Sequence, residues 1–129
     1  MSYYQSKVLK SDDLASLRTK VEASLKEVGF GILTEIDIQA TMKKKLDKDY
    51  PEYLILGACN PDFADKVLTA EPHIGTLLPC NVTIQGLGNS EYEVSIMDPI
   101  AAMSAVKNPA IEPLAGEVRE KLMSMLEKL

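Results

Sequence analysis

The sequence predicts an α+β fold: a two-layer sandwich in which a mainly antiparallel sheet is covered by helices on one face. Three observations support this class. Apolar residues recur at helical spacing near both ends of the chain, short strand-like runs lie between them, and Gly, Asn and Pro separate those runs. The order is then β-α-β(4)-α, with short helical insertions. We expect a single domain over residues 1–129, because this length suits one core.

The first third of the chain predicts a strand, a helix and a second strand. Tyr3 to Leu9 is an apolar patch of strand length. Ser11 is a typical N-cap, and a stripe of leucines and valines at helical spacing leads to Gly29, where a helix commonly ends. From Phe30 to Ile38, apolar residues alternate with acidic ones, which predicts a strand with one polar face.

The middle of the chain predicts a helix, a buried strand and another helix. Gln39 to Leu46 suits a short helix with a solvated lysine face. Tyr53 to Cys59 is a compact apolar run, typical of a central strand buried on both faces. Asn60 at the N-cap and Pro61 at the first helical position then predict a helix that continues to about Ala70.

The last third predicts a hairpin and a closing helix. The runs Cys80 to Gln85 and Glu91 to Met97 are joined by a turn rich in Gly and Asn, which favours an antiparallel hairpin. A short helical turn follows Asp98-Pro99, and an apolar stripe from about Pro113 to the end predicts the last helix. The helices that interrupt the strands leave a parallel pair open as an alternative.

Charge and composition argue against several classes of partner. The formal net charge is −5 with scattered basic residues, which disfavours nucleic acid and anionic membrane surfaces. With no Trp and two Phe, the chain offers little surface for base stacking. The start lacks the features of a secretory signal, and no apolar run reaches the roughly 18 residues of a membrane span. We therefore expect a cytoplasmic protein with reduced cysteines.

Polar and reactive side chains fall at the ends of the predicted strands. Cys59 ends one strand, Cys80 begins the next, Asp98 follows the hairpin, and His73 lies in the loop before Cys80. If the strands from Tyr53 and from Cys80 are antiparallel, the two cysteines and Asp98 meet at one edge of the sheet with His73 close by. A parallel pair would separate them.

The residues next to the cysteines bear on this site. Cys59 directly precedes a predicted helix N-terminus, where free N–H groups favour a thiolate, although Asp62 and Asp65 oppose that effect. Asn60 is explained by capping. Asn81 lies near the start of a predicted strand, although Asn has a low strand propensity. A residue that departs from the local propensity is a weak indication of a functional position.

Several chemistries fit these residue types. Cys59 could act as a nucleophile with His73 as base, or Cys59 and Cys80 could form a redox couple if the sulfurs lie within bonding reach. Each also has a structural interpretation, as a buried apolar cysteine or a loop histidine bonded to backbone. Zinc is disfavoured, since the cysteines are 21 positions apart with no C-x-x-C pair; we expect no metal, and no cofactor is indicated.

Five stretches of the chain resemble one known family. They are Gly29–Asp37, Tyr53–Pro61, Leu77–Val82, Met97–Pro99 and Asn108-Pro109. On these motifs, which keep the family's order, the chain resembles the domain of unknown function 302 family. The resemblance implies a compact α+β domain and a homodimer, and it brings no established reaction. The shared motifs include both cysteines, which adds support to a site at the strand edge.

The leading hypothesis is a small-ligand-binding or accessory module with a site at the sheet edge, formed by Cys59, Asn60, Cys80, Asn81, Asp98 and His73. The helix N-terminus after Cys59 would favour an anionic or electrophilic ligand. One alternative is a thiol-dependent enzyme, nucleophilic or redox, that uses Cys59 and Cys80. A further alternative is a structural homodimeric interaction protein.

Overall fold

The computed structural model describes residues 2–129 and contains five strands, five α-helices and one 3₁₀ helix. Their order is β1 (Tyr4–Lys10), α1 (Leu14–Glu27), β2 (Gly31–Asp37), α2 (Ile38–Leu46), β3 (Tyr53–Cys59), α3 (Pro61–Ala70), the 3₁₀ helix (Pro72–Leu77), β4 (Cys80–Gly88), β5 (Glu91–Met97), α4 (Pro99–Ala102) and α5 (Ile111–Glu127). The strands form one sheet in the order β1-β5-β4-β3-β2, and every neighbouring pair is antiparallel. The predicted class and sheet type are confirmed.

The core lies between one face of the sheet and helices α1, α3 and α5. Alternate residues of the three central strands are buried there, as the two-residue period of a strand requires. The strand contribution to the core is Leu54, Leu56, Ala58, Cys80, Val82, Ile84, Tyr92, Val94 and Ile96. The helix contribution includes Leu17, Val21, Leu25, Phe63, Val67, Val118, Leu122 and Met125. None of the helices in residues 2–129 is both long and apolar enough to cross a membrane.

The opposite face of the sheet, here called the open face, carries exposed and half-buried side chains. They include Tyr4, Ser6, Val8, Thr34, Ile36, Tyr53, Ile55, Asn81, Thr83, Gln85, Glu93, Ser95 and Met97. The mixture of polar and apolar residues alternates with the core residues along each strand. Helices therefore cover one face of the sheet, as the sequence predicts.

Strand β2 differs from its prediction in two places. The register shifts between Ile32 and Thr34, and this bulge leaves Leu33 68% exposed. Ile38 begins helix α2 instead of ending the strand, because Asp37 caps that helix. An alternating pattern cannot reveal a bulge, since the extra residue changes which side chains share a face.

Two helix starts also differ from the sequence prediction. Helix α1 is capped by Asp13, whose carboxylate accepts a hydrogen bond from the Ser16 amide at 2.7 Å, and the predicted cap Ser11 lies two residues earlier. Helix α5 begins at Ile111, before Pro113. Proline is compatible with a first helical turn, because its missing N–H has no partner there.

Gly57 in the middle of β3 allows three strands to pack closely beside the candidate site. A Cβ atom at this position would overlap Thr34 Oγ1 of β2 and lie 2.7 Å from Pro79 Cγ, next to the start of β4. Only glycine permits this approach. The contact holds β2 and Pro79 against the end of β3, where Cys59 lies.

Candidate functional site

The end of β3, the start of β4 and the first turns of α3 border an open cavity of about 260 Å³, here called the thiol cavity. Its lining is almost wholly apolar. The lining residues are Phe30, Leu33, Ala58, Cys59, Asn60, Phe63, Ala64, Leu68, Leu78, Pro79 and Cys80. Both cysteines line the same cavity, because β3 and β4 are antiparallel and the end of one lies beside the start of the other.

The register shows how the two cysteines are related. Ala58 lies opposite Cys80 in the β3–β4 pair, while Cys59 lies opposite Gly31 of β2. Consecutive residues of a strand point to opposite faces, so Cys59 and Cys80 are not a cross-strand pair. Both reach the cavity because it lies at the end of the strands, where β3 leads into α3. This register does not favour a disulfide couple.

The two thiols have different surroundings. Cys80 is 2% exposed, and burial, with a smaller effect of neighbouring Cys59, raises the pKa of the Cys80 thiol to about 11. Cys80 is therefore a neutral thiol at neutral pH. Cys59 is half-buried, so it is the cysteine that solvent and solutes can reach.

Asn60 is the polar amide side chain in the lining of the cavity, and it also caps helix α3. Its Oδ1 accepts a hydrogen bond from the Phe63 amide at 3.2 Å, which caps α3. Asp62 adds a negative charge in the first turn. An anion at this helix end would meet a capped N-terminus and a carboxylate, so the surroundings favour an uncharged ligand over the anionic one suggested by the sequence.

Asp98 is buried next to the sheet edge, but it faces α5. Its carboxylate accepts hydrogen bonds from Arg119 Nε at 2.8 Å and from the Ile100 and Ala101 amides at 2.9 and 3.3 Å. Burial by itself disfavours the charge, but these hydrogen bonds outweigh it and lower the pKa of Asp98. Asp98 thus links β5, α4 and α5, and it does not line the thiol cavity.

His73 and Asn81 also lie outside the cavity. His73 is exposed on the 3₁₀ helix, where its carbonyl accepts a hydrogen bond from the Thr76 hydroxyl at 3.0 Å. Asn81 is exposed on the open face, because it is the next residue after Cys80 and points to the other side of the sheet. The structure therefore brings together Cys59, Asn60 and Cys80, and it gives no geometric support to His73 as a base.

The sequence did not indicate the apolar wall that defines this site. Ala64 and Leu68 of α3 follow Asn60 at four-residue intervals, beside the buried stripe of Phe63 and Val67. This apolar stripe is wider than core packing alone needs, and that width was the available signal. Leu33 could not be found in this way, because it reaches the cavity only through the bulge in β2.

Metal binding has no cluster to support it in the part of the chain that the structure describes. Residues 2–129 contain no group of three or more His, Cys, Asp or Glu side chains placed to hold an ion. The cavity instead combines an apolar wall with one accessible and one buried thiol. Such a site can hold an uncharged apolar group beside a sulfur atom.

The family model for "Domain of unknown function DUF302" matches residues 5–129. The chain belongs to this family. A similar fold occurs in a crystal structure of "uncharacterized conserved protein DUF302 from Bacillus stearothermophilus", with a TM-score of 0.90 and 22% identity over 99% of this chain and 98% of that chain. That likeness shows the shared DUF302 fold. No curated protein matches the chain.

Proposed function

We propose that this DUF302 protein is a small-molecule-binding module, and that its ligand is an uncharged, apolar molecule held in the thiol cavity. The observation that carries this proposal is an apolar cavity of about 260 Å³ where β3 ends and β4 begins. An apolar cavity of about 150 Å³ can accommodate benzene, so the thiol cavity has room for a larger ring or a short branched chain. The free cysteines fit the reducing cytoplasm expected from the sequence.

The rim of the cavity supports the same ligand class. Leu33 and Leu68 line the cavity and are 68% and 39% exposed. A ligand that covers them removes apolar surface from water, which contributes roughly 25 cal/mol for each Å² buried. The only carboxamide on the wall, Asn60, already accepts the capping hydrogen bond of α3. Little polar surface would therefore lose its solvent on binding.

A larger groove lies between α4 and α5, but it suits an apolar ligand less well. It measures about 520 Å³, and Lys107 and Glu112 are among its lining residues. An apolar ligand there would displace water from charged side chains, which is costly without new hydrogen bonds. For this ligand class, the smaller thiol cavity is the more favourable site.

A dye-binding experiment tests the proposal. The uncharged dye N-phenyl-1-naphthylamine should bind saturably, with a rise in fluorescence. Ala64→Leu fills the cavity from α3 and should weaken dye binding by at least about tenfold, a loss of about 1.4 kcal/mol. Thr69→Leu is the matched control, because it adds the same side chain at an exposed position of α3 outside the cavity. Equal binding by the wild type and Ala64→Leu would contradict the proposed site.

Homodimer formation is a second candidate role, and the open face favours it. The face spans five strands of about seven residues, or roughly 24 by 23 Å, before side chains and flanking residues are added. This flat area of about 550 Å² is roughly two thirds of the ~800 Å² per partner of a stable interface, and protruding side chains add to it. Exposed Tyr3, Tyr4 and Val8 lie along one side of it, and its centre is polar and uncharged at Asn81 and Thr83. A second copy of the chain could stack there.

Sedimentation velocity tests the homodimer. The wild type should sediment as a dimer, and Asn81→Lys should weaken association by at least about tenfold, because it buries two unpaired charges near the centre of the open face. Thr19→Lys adds the same charge on the exposed side of α1 and should leave association unchanged. A wild type that is monomeric at every concentration tested would overturn this second role.

A further inference from the structure

We propose that Cys59 captures a soft, apolar electrophile held in the thiol cavity, while Cys80 stays unmodified. This inference rests on the proposed function, since the electrophile must first bind as an apolar ligand. Its basis is the geometry of the cavity, which is lined by one half-buried and one fully buried cysteine.

Cys59 has the position needed for capture. It is the last residue of β3, it lines the cavity, and it is only partly covered. A ligand seated against Phe63 and Leu68 would hold a reactive carbon beside this sulfur. Holding two reactants together raises their effective concentration and so accelerates a bimolecular addition.

Cys80 serves as an unreactive part of the wall. Its residue is 2% exposed, and burial holds the pKa of its thiol at about 11, so very little thiolate forms near neutral pH. Among residues 2–129, no side-chain hydrogen bond involves its sulfur, and the nearby bond at Asn60 joins other atoms. A neutral, unpartnered thiol facing the cavity tolerates an uncharged ligand and offers no counter-charge to an ionic one.

The chemistry needs no additional oxidant, reductant or leaving group. Cys59 first loses its thiol proton to water. The thiolate then forms an S–C bond with the β-carbon of an α,β-unsaturated carbonyl compound, and the π electrons of the C=C bond move toward the carbonyl oxygen. The resulting enolate takes a proton from water at its α-carbon. The net reaction adds S–H across the double bond.

Two maleimides of similar reactivity test the proposal on the whole protein. N-cyclohexylmaleimide is apolar and uncharged, whereas N-(2-carboxyethyl)maleimide carries a carboxylate. Each rate of labelling is divided by the rate of the same reagent with 2-mercaptoethanol. Each buried CH₂ contributes roughly fourfold in affinity, so we expect the normalised preference for the cyclohexyl reagent to exceed tenfold. Peptide mapping should place the adduct on Cys59, and Cys59→Ser should abolish it.

A normalised ratio near one, or an adduct mainly on Cys80, would overturn the inference. The saturated analogue N-cyclohexylsuccinimide separates this failure from failure of the proposed function. It has nearly the same shape but no double bond, so it can bind and cannot react. If the succinimide displaces the naphthylamine dye but Cys59 reacts equally with the two maleimides, the cavity binds apolar ligands and the proposed covalent capture by Cys59 is wrong. If neither the dye nor the succinimide binds, the proposed function itself fails.

Discussion

At the residue scale, Asp98 shows how one buried carboxylate can look functional and be structural. It follows a strand next to the cysteines, which made it a candidate ligand-binding residue. In the structure its two oxygens accept hydrogen bonds from Arg119 and from the first turn of α4. These bonds hold the pKa of Asp98 below the ordinary value of a carboxyl group. The group therefore contributes to folding, and it is not among the residues that line the thiol cavity.

Replacing Asp98 should reveal this role through the pH dependence of stability. Because its pKa is lowered by folding, its contribution is present above the ordinary carboxyl pKa of about 4 and is lost as pH falls through the folded-state value. We expect Asp98→Asn to lower the free energy of unfolding by about 2 kcal/mol at pH 7. The difference in free energy of unfolding between the wild type and Asp98→Asn should become smaller below about pH 4, because the Asp98 carboxylate is then increasingly protonated.

Urea unfolding at pH 7 and at pH 3 measures this effect. Glu120→Gln is the control, because Glu120 is an exposed carboxylate on the same helix as Arg119. A constant difference between wild type and Asp98→Asn at both pH values would show that the carboxylate charge is not involved.

Local signals placed Cys59, Asn60 and Cys80 at strand and helix ends, and an antiparallel pairing of their strands was the condition for bringing them together. The β3–β4 pair is antiparallel and meets that condition. An apolar run ends at Cys59, Asn60 caps the following helix, and Pro79 marks the start of the next strand. His73 could not be placed in this way. The segment before β4 folds into a 3₁₀ helix whose only buried residue is Ile74, and this packing leaves His73 in solvent.

At the element scale, the end of helix α5 is held by the first strand. Lys7 Nζ donates hydrogen bonds to the carbonyl oxygen of Glu127 at 3.1 Å and to that of Leu129. A cation near the last turn of a helix also interacts favourably with the helix dipole. α5 has no basic residue of its own in its last turn, so this contact supplies the charge.

We expect Lys7→Met to lower the free energy of unfolding by about 1 kcal/mol, through loss of these hydrogen bonds and of the dipole interaction. Lys10→Met is a matched control on the same strand, because Lys10 points to the other side of the sheet. Thermal unfolding followed by circular dichroism compares the variants. Equal loss of stability in Lys7→Met and Lys10→Met would mean that removing a positive charge from β1, and not losing the contact with α5, causes the effect.

The elements themselves were predictable, and their exact starts were less so. Asn60-Pro61 determines the start of α3, because Asn is favoured at the N-cap and Pro at the first helical position directly after it. Ser11, Asp12 and Asp13 can all cap a helix, so the start of α1 was ambiguous. The bulge in β2 depends on packing against β3 and left no local signal.

At the scale of the whole molecule, the strand order depends on contacts that are distant in sequence. β1 pairs with β5 and not with β2, although α1 alone separates β1 from β2. Alternation of apolar residues shows that each strand has a buried face, and it does not name the neighbouring strand. The thiol cavity arises from this arrangement, because it needs α3, the β2 bulge and the start of β4 together. Of its apolar wall, only the wide apolar stripe of α3 left a signal in the sequence.

A ¹⁵N NMR titration with N-cyclohexylsuccinimide shows directly whether the thiol cavity binds an apolar molecule. We expect saturable shift changes for the amides around Cys59–Ala64 and Leu78–Cys80, which line the thiol cavity. The amides of Ser104–Glu112, which border the larger groove between α4 and α5, should not move. Saturable changes confined to Ser104–Glu112, or the absence of any saturable change, would contradict the claim that this protein binds an apolar molecule beside its two cysteines.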